Sequence, residues 1–358
     1  MEGQLSDLVS AKVRTLFGAR TALTSFTTLA GDASSRRYYR VGLVGPDAPR
    51  SVIVMELAAG SSLPLSSEEL AVFKSPPKEL PFLNLHRFLS RIGVRVPRLY
   101  GQWECEGILL LEDVGDMTLW DRVQGLAPAA VRTWYEKAID ELLLLQVRGT
   151  EQRDPDCIAF QQRFDFRLYK WEFDHFLEYG LQKRPEIRVR SKTISGLRKI
   201  FAEMARTLDR QPPCLNHRDF HSWNLMVYDG KLVVIDFQDA LLAPPHYDLA
   251  SLLNDRETDT VITPDLEAQL LDYYRAKRAA LLCHSMDADE FTEIYLLSAI
   301  QRDFKVIGRF YYLDSVKGKP GYKKFIPATA RRLKRNLARL PRLKRIIPML
   351  AEHYEEMQ

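Results

Sequence analysis

The sequence predicts an α+β protein of two unequal lobes, a small antiparallel β lobe with one helix and a larger, mainly α-helical lobe that contains one short hairpin. The first ~115 residues alternate short apolar runs with turn-forming residues. From Thr118 onward, apolar residues recur at helical spacing. The pair Asp229-Gly230 interrupts the helical part between two apolar runs, and Asp-Gly in that setting favours a hairpin turn. We therefore expect residues 1–115 to form one lobe and residues 116–358 the other.

The N-terminal lobe is predicted to begin with an amphipathic helix over residues 4–17, because its apolar residues fall on one side. Residues 58–80 are rich in Ser and Pro and are predicted to form a loop. The strands expected in this lobe are Ser25–Leu29, Tyr38–Leu43, Ser51–Leu57, Arg98–Trp103 and Gly107–Glu112, and the one inserted helix is Phe82–Ile92.

The C-terminal lobe is predicted to be helical except at one hairpin, Leu225–Ile235, which is built around the Asp-Gly pair. Pro128 and Pro264 suit a first helical position, where no backbone N–H is needed. The helices expected here are Pro128–Val147, Phe160–Tyr179, Arg190–Asp209, Pro264–Ala280, Asp287–Tyr312 and Ala328–Ala338.

The composition is that of a globular protein, with 46% hydrophobic and 27% charged residues among 358. The four cysteines lack metal-ligand spacing, so we expect reduced thiols. The N-terminus has no signal-like apolar stretch, and the longest apolar runs are far too short to span a bilayer. These features predict a cytoplasmic protein without a membrane span, and they leave the oligomeric state open, with a monomer plausible.

The net charge of +4 conceals a basic segment near the C-terminus. Residues 315–350 hold twelve Lys and Arg and no acidic residue, which leaves −8 on the rest of the chain. Such a segment can meet nucleic acid, a membrane surface or an anionic substrate. Its most basic part lacks interleaved aromatic residues for base stacking. We therefore expect a solvated helical face and no nucleic-acid partner.

The strongest functional pattern lies beside the predicted hairpin. Asp219 and Asn224 have the Asp-x-x-x-x-Asn spacing of a kinase catalytic loop. Asp236 ends an apolar strand at the far side of the hairpin and is followed by Phe237, where a kinase carries a metal-binding Asp. The joint occurrence of loop, spacing, hairpin and strand-terminal Asp predicts a protein-kinase-like bilobal fold and phosphoryl transfer.

The chemistry of phosphoryl transfer explains these residue types. Transfer from ATP requires mainly positioning and neutralisation of phosphate charge. Mg²⁺ prefers oxygen ligands, so an amide oxygen at Asn224, a carboxylate at Asp236 and the ATP oxygens suffice. A second carboxylate must accept the proton of the attacking hydroxyl. We therefore predict Asp219 as the base, Asn224 and Asp236 as metal ligands, and ATP and Mg²⁺ as cofactors.

A zinc site is the alternative for His217 and His221, which are four residues apart. The Glu of an H-E-x-x-H motif is absent, and the histidines lie in a loop flanked by strands rather than in a helix. The chain also contains neither a Walker A motif nor G-x-G-x-x-G, so P-loop and Rossmann folds lose their main support.

Two segments are candidates for nucleotide binding. The loop Gly31–Ser35 is able to cover the ATP phosphates with backbone N–H groups and with the hydroxyls of Ser34 and Ser35, although a plain hairpin turn explains it equally well. The backbone at Glu112 and Val114, where the two lobes join, is expected to meet adenine, and an ordinary strand-to-helix connection is the alternative.

The motifs HRDFHSWNLM at 217–226 and VVIDFQDA at 233–240 resemble the aminoglycoside phosphotransferase superfamily. Other segments are similar to a subgroup, the bacterial anomeric kinases of N-acetylmuramate and N-acetylglucosamine. These segments are LAGDASSRRYYR at 29–40, GILLLEDVGD at 107–116, APPHYDLASLLND at 243–255, QRDFKVIGRF at 301–310 and GKPGY at 318–322. The resemblance implies transfer of the ATP γ-phosphate to the anomeric hydroxyl of the sugar, giving a sugar 1-phosphate for cell-wall recycling. It also implies the same roles for Asp219, Asn224 and Asp236, and a structural role for Asp248.

The sequence departs from protein kinases at the third strand, where Met55 occupies the position of the ATP-pairing Lys. Arg36 or Arg37 is a candidate for supplying that charge, and either is equally explained as a solvated strand residue.

Substrate contacts are predicted at four residues, each with a plainer alternative. Asp239 is able to bind sugar hydroxyls or to organise its loop. Glu172 and His175 lie in an aromatic-rich stretch that suits a sugar ring, although core packing explains most of those aromatics. Arg302 shares a helix face with Lys305 and is able to pair with an acidic group such as the lactyl carboxylate of N-acetylmuramate, or with acids of the chain itself.

Other functions remain open at this point. The alternative acceptors are an aminoglycoside, a choline-like amine or a different sugar, and the basic 315–350 segment argues against a cationic aminoglycoside. A nucleotide-binding protein that has lost catalysis is the non-enzymatic alternative. The joint presence of Asp219, Asn224 and Asp236 argues against it. A protein kinase is disfavoured because no A-P-E element follows Asp236.

Overall fold

The computed structural model describes residues 2–29, 37–57 and 79–358. Its nine strands are β1 (Ala22–Leu29), β2 (Arg37–Val44), β3 (Ser51–Glu56), β4 (Leu99–Trp103), β5 (Ile108–Glu112), β6 (Cys214–Asn216), β7 (Leu225–Tyr228), β8 (Lys231–Val234) and β9 (Leu241–Ala243) in the described part of the chain. The α-helices of that part are α1 (Glu2–Phe17), α2 (Pro81–Ile92), α3 (Leu119–Val123), α4 (Pro128–Leu143), α5 (Gly149–Glu151), α6 (Phe166–His175), α7 (Ser191–Asp209), α8 (His246–Leu253), α9 (Pro264–Leu282), α10 (Ala288–Ser315), α11 (Ile326–Arg339) and α12 (Ile346–Leu350).

The described residues form two compact units. The first contains 2–29, 37–57, 95–116 and 226–235, and the second contains 79–94, 117–225 and 236–358. The predicted lobe boundaries, 1–115 and 116–358, stay a prediction.

The first unit is an antiparallel sheet of five strands in the order β1-β2-β3-β5-β4. Its core forms because β2 and β3 bury apolar side chains such as Val41, Val52 and Val54. Val9 and Val13 of α1 pack into the same cluster and are fully buried. The leading helix and the strands of this unit were therefore predictable from apolar periodicity, with ends that differ by a few residues.

The predicted hairpin is confirmed as β7 and β8. Asp229 and Gly230 both have positive φ, 49° and 70°, as a type I′ turn requires. Met226 and Val233 of this hairpin pack with Val114 in a small apolar cluster of the first unit. The Asp-Gly pair thus predicted the position of the turn correctly.

The prediction of one helix over Phe160–Tyr179 is wrong at its start. Residues Ile158–Gln161 form a 3₁₀ turn, and Arg163 makes an isolated parallel bridge with Leu242. The helix begins only after Asp165, whose side chain accepts a hydrogen bond from the Leu168 N–H. The Asp165 carboxylate thus accepts a hydrogen bond from a backbone N–H that has no partner within the helix, and this cap fixes the start of α6.

Two helices continue as π-helical turns that periodicity did not predict. The helix α4 continues through Leu144–Arg148, and α6 continues through Phe176–Gln182. Gly180 lies in the second turn, and a Cβ built there would approach the Phe176 ring to 2.6 Å. The close packing at this turn therefore favours glycine.

The basic segment 315–350 is paired in part with acidic residues of other helices. Arg332 and Asp303 form an ion pair in which both side chains are only 1% exposed. Arg339 lies 2.8 Å from Glu267, and Arg335 lies 3.2 Å from Asp259. The expectation of a solvated face is therefore wrong for Arg332, whereas Arg335 and Arg339 are paired but stay about one-third exposed. All three join α11 to preceding parts of the chain.

Among the described residues, no helix combines the length and the apolar character that crossing a membrane requires.

Candidate active site

The catalytic loop begins at the end of β6 and is held by one buried carboxylate. Asp248, in the first turn of α8, accepts hydrogen bonds from the backbone N–H groups of His217 and Arg218, the second at 2.9 Å. Asn216 Oδ1 in turn accepts from the backbone N–H of Asp248 at 3.3 Å. The structural role that the sequence implied for Asp248 is confirmed.

Arg218, which precedes Asp219, and the predicted metal ligand Asp236 have left-handed backbone conformations. Arg218 has φ 80° and Asp236 has φ 62°. Non-glycine residues in this region cost of order 1–3 kcal/mol unless the surroundings hold them, and such conformations cluster at functional sites. The bond from Arg218 N–H to Asp248 is one of the contacts that hold the loop.

Asp219 lies beside two cations of α10. Its Oδ1 is 3.5 Å from Arg302 Nη1 and 3.6 Å from Lys305 Nζ, and its side chain is 38% exposed. Burial raises the pKa of Asp219, but Lys305, Arg302 and then His221 and Arg218 lower it, and the resulting pKa lies well below the usual range. Asp219 is therefore an ionised carboxylate at neutral pH that solvent and a substrate can reach.

Glu172 is at the centre of a buried charged cluster. Its carboxylate accepts a hydrogen bond from Gln301 Nε2 at 2.6 Å, and it lies 3.4 Å from Arg218 Nη2 and 3.7 Å from Lys305 Nζ. The side chain is 1% exposed. The contacts observed for Glu172 are thus with two cations and one amide of the protein itself, and its predicted contact with substrate stays a prediction.

The other predicted substrate residues differ in their surroundings. His175 lies among aromatic rings, with centroids 5.4 Å from Trp171, 4.7 Å from Tyr179 and 5.3 Å from Tyr312. Asp239 is half-buried, three residues after Asp236. The predicted substrate roles of both stay predictions, as does that of Arg302.

Asn224 and Asp236 both belong to the second unit and offer oxygen atoms. Asn224 Nδ2 donates to the Asp219 carbonyl at 3.0 Å, which leaves its amide oxygen without a hydrogen bond from the described residues. Asp236 is exposed, and its Oδ1 accepts from Gln238 Nε2 at 2.7 Å. An amide oxygen and an exposed carboxylate are the donors that Mg²⁺ prefers, so these residues fit the ion. The described residues contain no cluster of three or more His, Cys, Asp or Glu suited to a metal.

The predicted nucleotide-binding residues lie in the first unit or outside the described residues. Ser34 and Ser35 fall outside them, as does Arg36. Arg37 is exposed and pairs with Glu56 at 2.9 Å. The Glu112 carboxylate accepts from Arg95 at 2.6 Å and from the backbone N–H of Arg98 at 2.9 Å.

Val114 is buried in the apolar cluster that includes Met226 and Val233. Met55, at the position of the protein-kinase Lys, is fully buried in β3. The nucleotide-binding roles of Ser34, Ser35, Arg37, Glu112 and Val114 stay predictions.

Sequence reasoning missed the aromatic and cationic partners of Trp223 in the catalytic loop. Trp223 stacks on Trp120 of α3 with ring centroids 4.5 Å apart, and the Arg256 guanidinium lies 4.7 Å from the Trp223 ring centroid. Arg256 has φ 41°, and its carbonyl accepts from Arg332 at 2.8 Å. The tryptophan inside the catalytic loop was noticeable in the sequence, but its partners are distant along the chain.

Comparison with known proteins identifies the family. The model of the phosphotransferase enzyme family matches residues 25–282. The chain belongs to this family. The predicted phosphotransferase class is thereby confirmed, and with it the expectation of an enzyme.

Curated relatives match nearly the whole chain. An N-acetylmuramate/N-acetylglucosamine kinase of Pseudomonas aeruginosa is 29% identical over 324 residues, covering 90% of this chain and 86% of its own length. A kinase of the same description from Neisseria meningitidis serogroup B is 29% identical over 335 residues, covering 91% of this chain and 90% of its own length. The predicted resemblance to this subgroup is confirmed.

Solved structures support the fold. Choline kinase LicA of Streptococcus pneumoniae has a TM-score of 0.56 at 16% identity, covering 94% of this chain and 99% of its own. The ADP-bound aminoglycoside phosphotransferase APH(2'')-Ib has a TM-score of 0.56 at 14% identity, covering 92% of this chain and 97% of its own. The predicted kinase-like α+β fold is confirmed.

Proposed function

We propose that this family member is a cytoplasmic, ATP- and Mg²⁺-dependent kinase of an N-acetylated amino sugar. The acceptor group is the anomeric hydroxyl of N-acetylmuramate or N-acetylglucosamine, and the product is the sugar 1-phosphate, an intermediate of cell-wall recycling. The observation that carries the proposal is an ionised, accessible Asp219 in a catalytic loop that also holds Asn224, within a chain whose curated relatives act on these sugars. Asp236, two residues after the end of β8, supplies the remaining predicted ligand.

The proposed phosphoryl transfer requires one base from the protein. The Asp219 carboxylate accepts the proton of the acceptor hydroxyl. The hydroxyl oxygen forms its new bond to the γ-phosphorus of ATP, and the bond from that phosphorus to the β–γ bridging oxygen breaks. The electron pair of the broken bond stays on that oxygen of ADP. The products are ADP and a sugar phosphate, and solvent then removes the proton from Asp219.

The cations beside Asp219 support this role. A carboxylate whose pKa lies well below the usual range is ionised at neutral pH, so it is ready to orient the hydroxyl before transfer. Because phosphoryl transfer passes through a loose transition state, positioning contributes more than strong basicity. A weak base that is held in place therefore suits the chemistry.

Asn224 and Asp236 would hold Mg²⁺ through their side-chain oxygens. When bound, the ion would neutralise charge on the phosphate oxygens of ATP. Nucleotide contacts are proposed for Ser34, Ser35, Arg37 and the backbone at Glu112 and Val114. Acceptor contacts are proposed for Asp239, Glu172 and His175.

The test is ADP release with Mg·ATP against a panel of acceptors. The panel contains N-acetylmuramate, N-acetylglucosamine, glucosamine, other hexoses, choline and kanamycin. We expect turnover of the two N-acetylated sugars and loss of turnover when the anomeric hydroxyl is blocked as the methyl glycoside. Turnover of choline or kanamycin without turnover of any sugar would contradict the proposal.

A further inference from the structure

Two cations reach the catalytic loop from a helix that is far from it in sequence. Arg302 of α10 donates through Nη1 to the Arg218 carbonyl at 2.8 Å, and the same nitrogen lies 3.5 Å from Asp219 Oδ1. Lys305 Nζ lies 3.6 Å from that oxygen. Arg302 is 2% exposed and Lys305 is 13% exposed. Both charges are therefore largely withdrawn from solvent, where their effect on a neighbouring carboxylate is greatest.

The ammonium of Lys305 is held among acceptors of the protein. It lies 3.7 Å from Glu172 Oε1 and 3.5 Å from the Tyr247 hydroxyl, in addition to Asp219. Gln301 of the same helix donates to the other oxygen of Glu172 at 2.6 Å. Since α10 supplies Gln301, Arg302 and Lys305, one helix fixes both the cation and the acid that balances it.

Arg302 also stabilises the strained part of the loop. Arg218 has φ 80°, which disfavours any residue with a side chain. Its N–H donates to Asp248 and its carbonyl accepts from Arg302, so both polar groups of its backbone are hydrogen-bonded. Asp219 follows directly, and its position therefore depends on these two contacts.

Both cations approach the same oxygen of Asp219, and the other oxygen is left for substrate. Among the described residues, no side chain donates a hydrogen bond to Oδ2. We propose that Lys305 and Arg302 are positioning residues for phosphoryl transfer, which hold Asp219 Oδ1 and the Arg218 carbonyl so that Oδ2 receives the proton of the acceptor hydroxyl. This inference rests on the proposed function and assigns to Arg302 a role other than binding the substrate carboxylate.

A positioning role makes a specific kinetic prediction. A residue that acts only through Asp219 contributes to the transition state and not to binding of either substrate. Its loss lowers kcat and leaves KM nearly unchanged, whereas loss of a sugar-binding residue raises the KM for the sugar. A misplacement of about 1 Å in a reacting group costs on the order of 10²-fold in rate.

The experiment compares Lys305→Met, Lys305→Arg and a matched control, Arg309→Met. Arg309 also carries a positive charge on α10, but its guanidinium lies over Tyr312, 5.2 Å from the ring centroid. We expect Lys305→Met to lower kcat for N-acetylglucosamine by about 10- to 100-fold, with both KM values within about twofold of wild type. Lys305→Arg restores the charge and should recover most of kcat, and the control should match wild type.

Three outcomes would overturn the inference. The first is an unchanged kcat in Lys305→Met, and the second is a raised KM for the sugar with kcat retained, which would make Lys305 a sugar ligand. The third is a kcat in Lys305→Arg as low as in Lys305→Met, because the charge would then not be the operative feature. If circular dichroism shows that Lys305→Met is unfolded, Lys305→Gln is measured against the same expectations. Absence of sugar turnover by the wild type would instead refute the proposed function.

Discussion

At the scale of single residues, the proposed chemistry depends on Asp219, Asn224 and Asp236. Each has a different environment that suits its proposed task. Asp219 lies beside two cations, Asn224 is oriented by its bond to the Asp219 carbonyl, and Asp236 is exposed in a left-handed conformation. The roles of the base and of the metal ligands can therefore be tested separately by mutation.

The base is tested by Asp219→Asn. The amide has nearly the same shape but cannot accept the proton, so kcat should fall by about 10²- to 10⁴-fold. Mg·ATP binding, measured by calorimetry, should stay within a few-fold of wild type because the metal ligands are unchanged. Wild-type turnover in this variant would exclude Asp219 as the base.

The metal site is tested by Asp236→Ala. Loss of a ligand carboxylate should weaken Mg²⁺-dependent nucleotide binding by about tenfold or more, which corresponds to roughly 1.4 kcal/mol. A titration of nucleotide binding against Mg²⁺ measures this. The control is Asp229→Asn, an exposed turn residue with φ 49° that Asn tolerates. Equal Mg²⁺ dependence in Asp236→Ala and the control would remove Asp236 from the site.

At the scale of elements, α10 connects the catalytic loop with the basic C-terminal helix. One face carries Arg302 and Lys305 beside Asp219, and the neighbouring Asp303 pairs with Arg332 of α11. Arg332 Nη2 and Nε lie 2.7 Å and 3.0 Å from Asp303 Oδ1, and Arg332 also donates to the Arg256 carbonyl. The buried pair therefore joins α10, α11 and the segment after α8.

Removing one member of this buried pair should be costly. Arg332→Met leaves the Asp303 carboxylate buried without its cation, and we expect a loss of about 3–5 kcal/mol in the free energy of unfolding. The double variant Asp303→Leu with Arg332→Met removes both charges and should recover most of that loss. Urea unfolding measures the free energy of unfolding of the single and the double variant. A double variant no more stable than Arg332→Met would contradict this account of the pair.

At the scale of the whole molecule, stability should depend on pH through a buried histidine. His246 is 1% exposed and packs on Phe291, with ring centroids 4.7 Å apart. Neither ring nitrogen has a hydrogen-bond partner among the described residues. Burial, with a smaller contribution from Arg278, lowers the pKa of His246 from 6.5 to about 3. The folded protein thus holds a neutral imidazole over a range in which the unfolded chain binds a proton.

The sign of the effect follows from that difference. Below pH 6.5 the unfolded state takes up a proton that the folded state excludes, so the contribution of His246 to the free energy of unfolding falls with pH down to about pH 3. Between pH 7.5 and pH 5, wild type should lose about 2 kcal/mol more than His246→Phe. Urea unfolding at the two values tests this, with the exposed His284→Gln as control. A loss of unfolding free energy in His246→Phe as large as that in wild type would contradict this prediction.

Much of the fold was predictable because it follows from local patterns. Apolar periodicity predicts α1 and α7, and Asp-Gly predicts the hairpin turn. Cys214–Asn216 and Leu241–Ala243 were not predictable as strands, because three residues are too short for a periodic signal. Spacing alone predicts that Asp219 and Asn224 share a loop. It does not predict that Arg302 and Lys305 lie against Asp219, since they are more than eighty residues away and only tertiary packing brings them there.

The central claim is that the anomeric oxygen of an amino sugar receives the phosphoryl group. The most direct measurement is phosphorus NMR of the product formed from Mg·ATP and N-acetylglucosamine, with the Asp219→Asn variant as control. The account predicts a sugar phosphate whose phosphorus couples to the anomeric proton, formed by wild type and nearly absent with the variant. A phosphate attached at another hydroxyl, or inorganic phosphate as the only product, would contradict it.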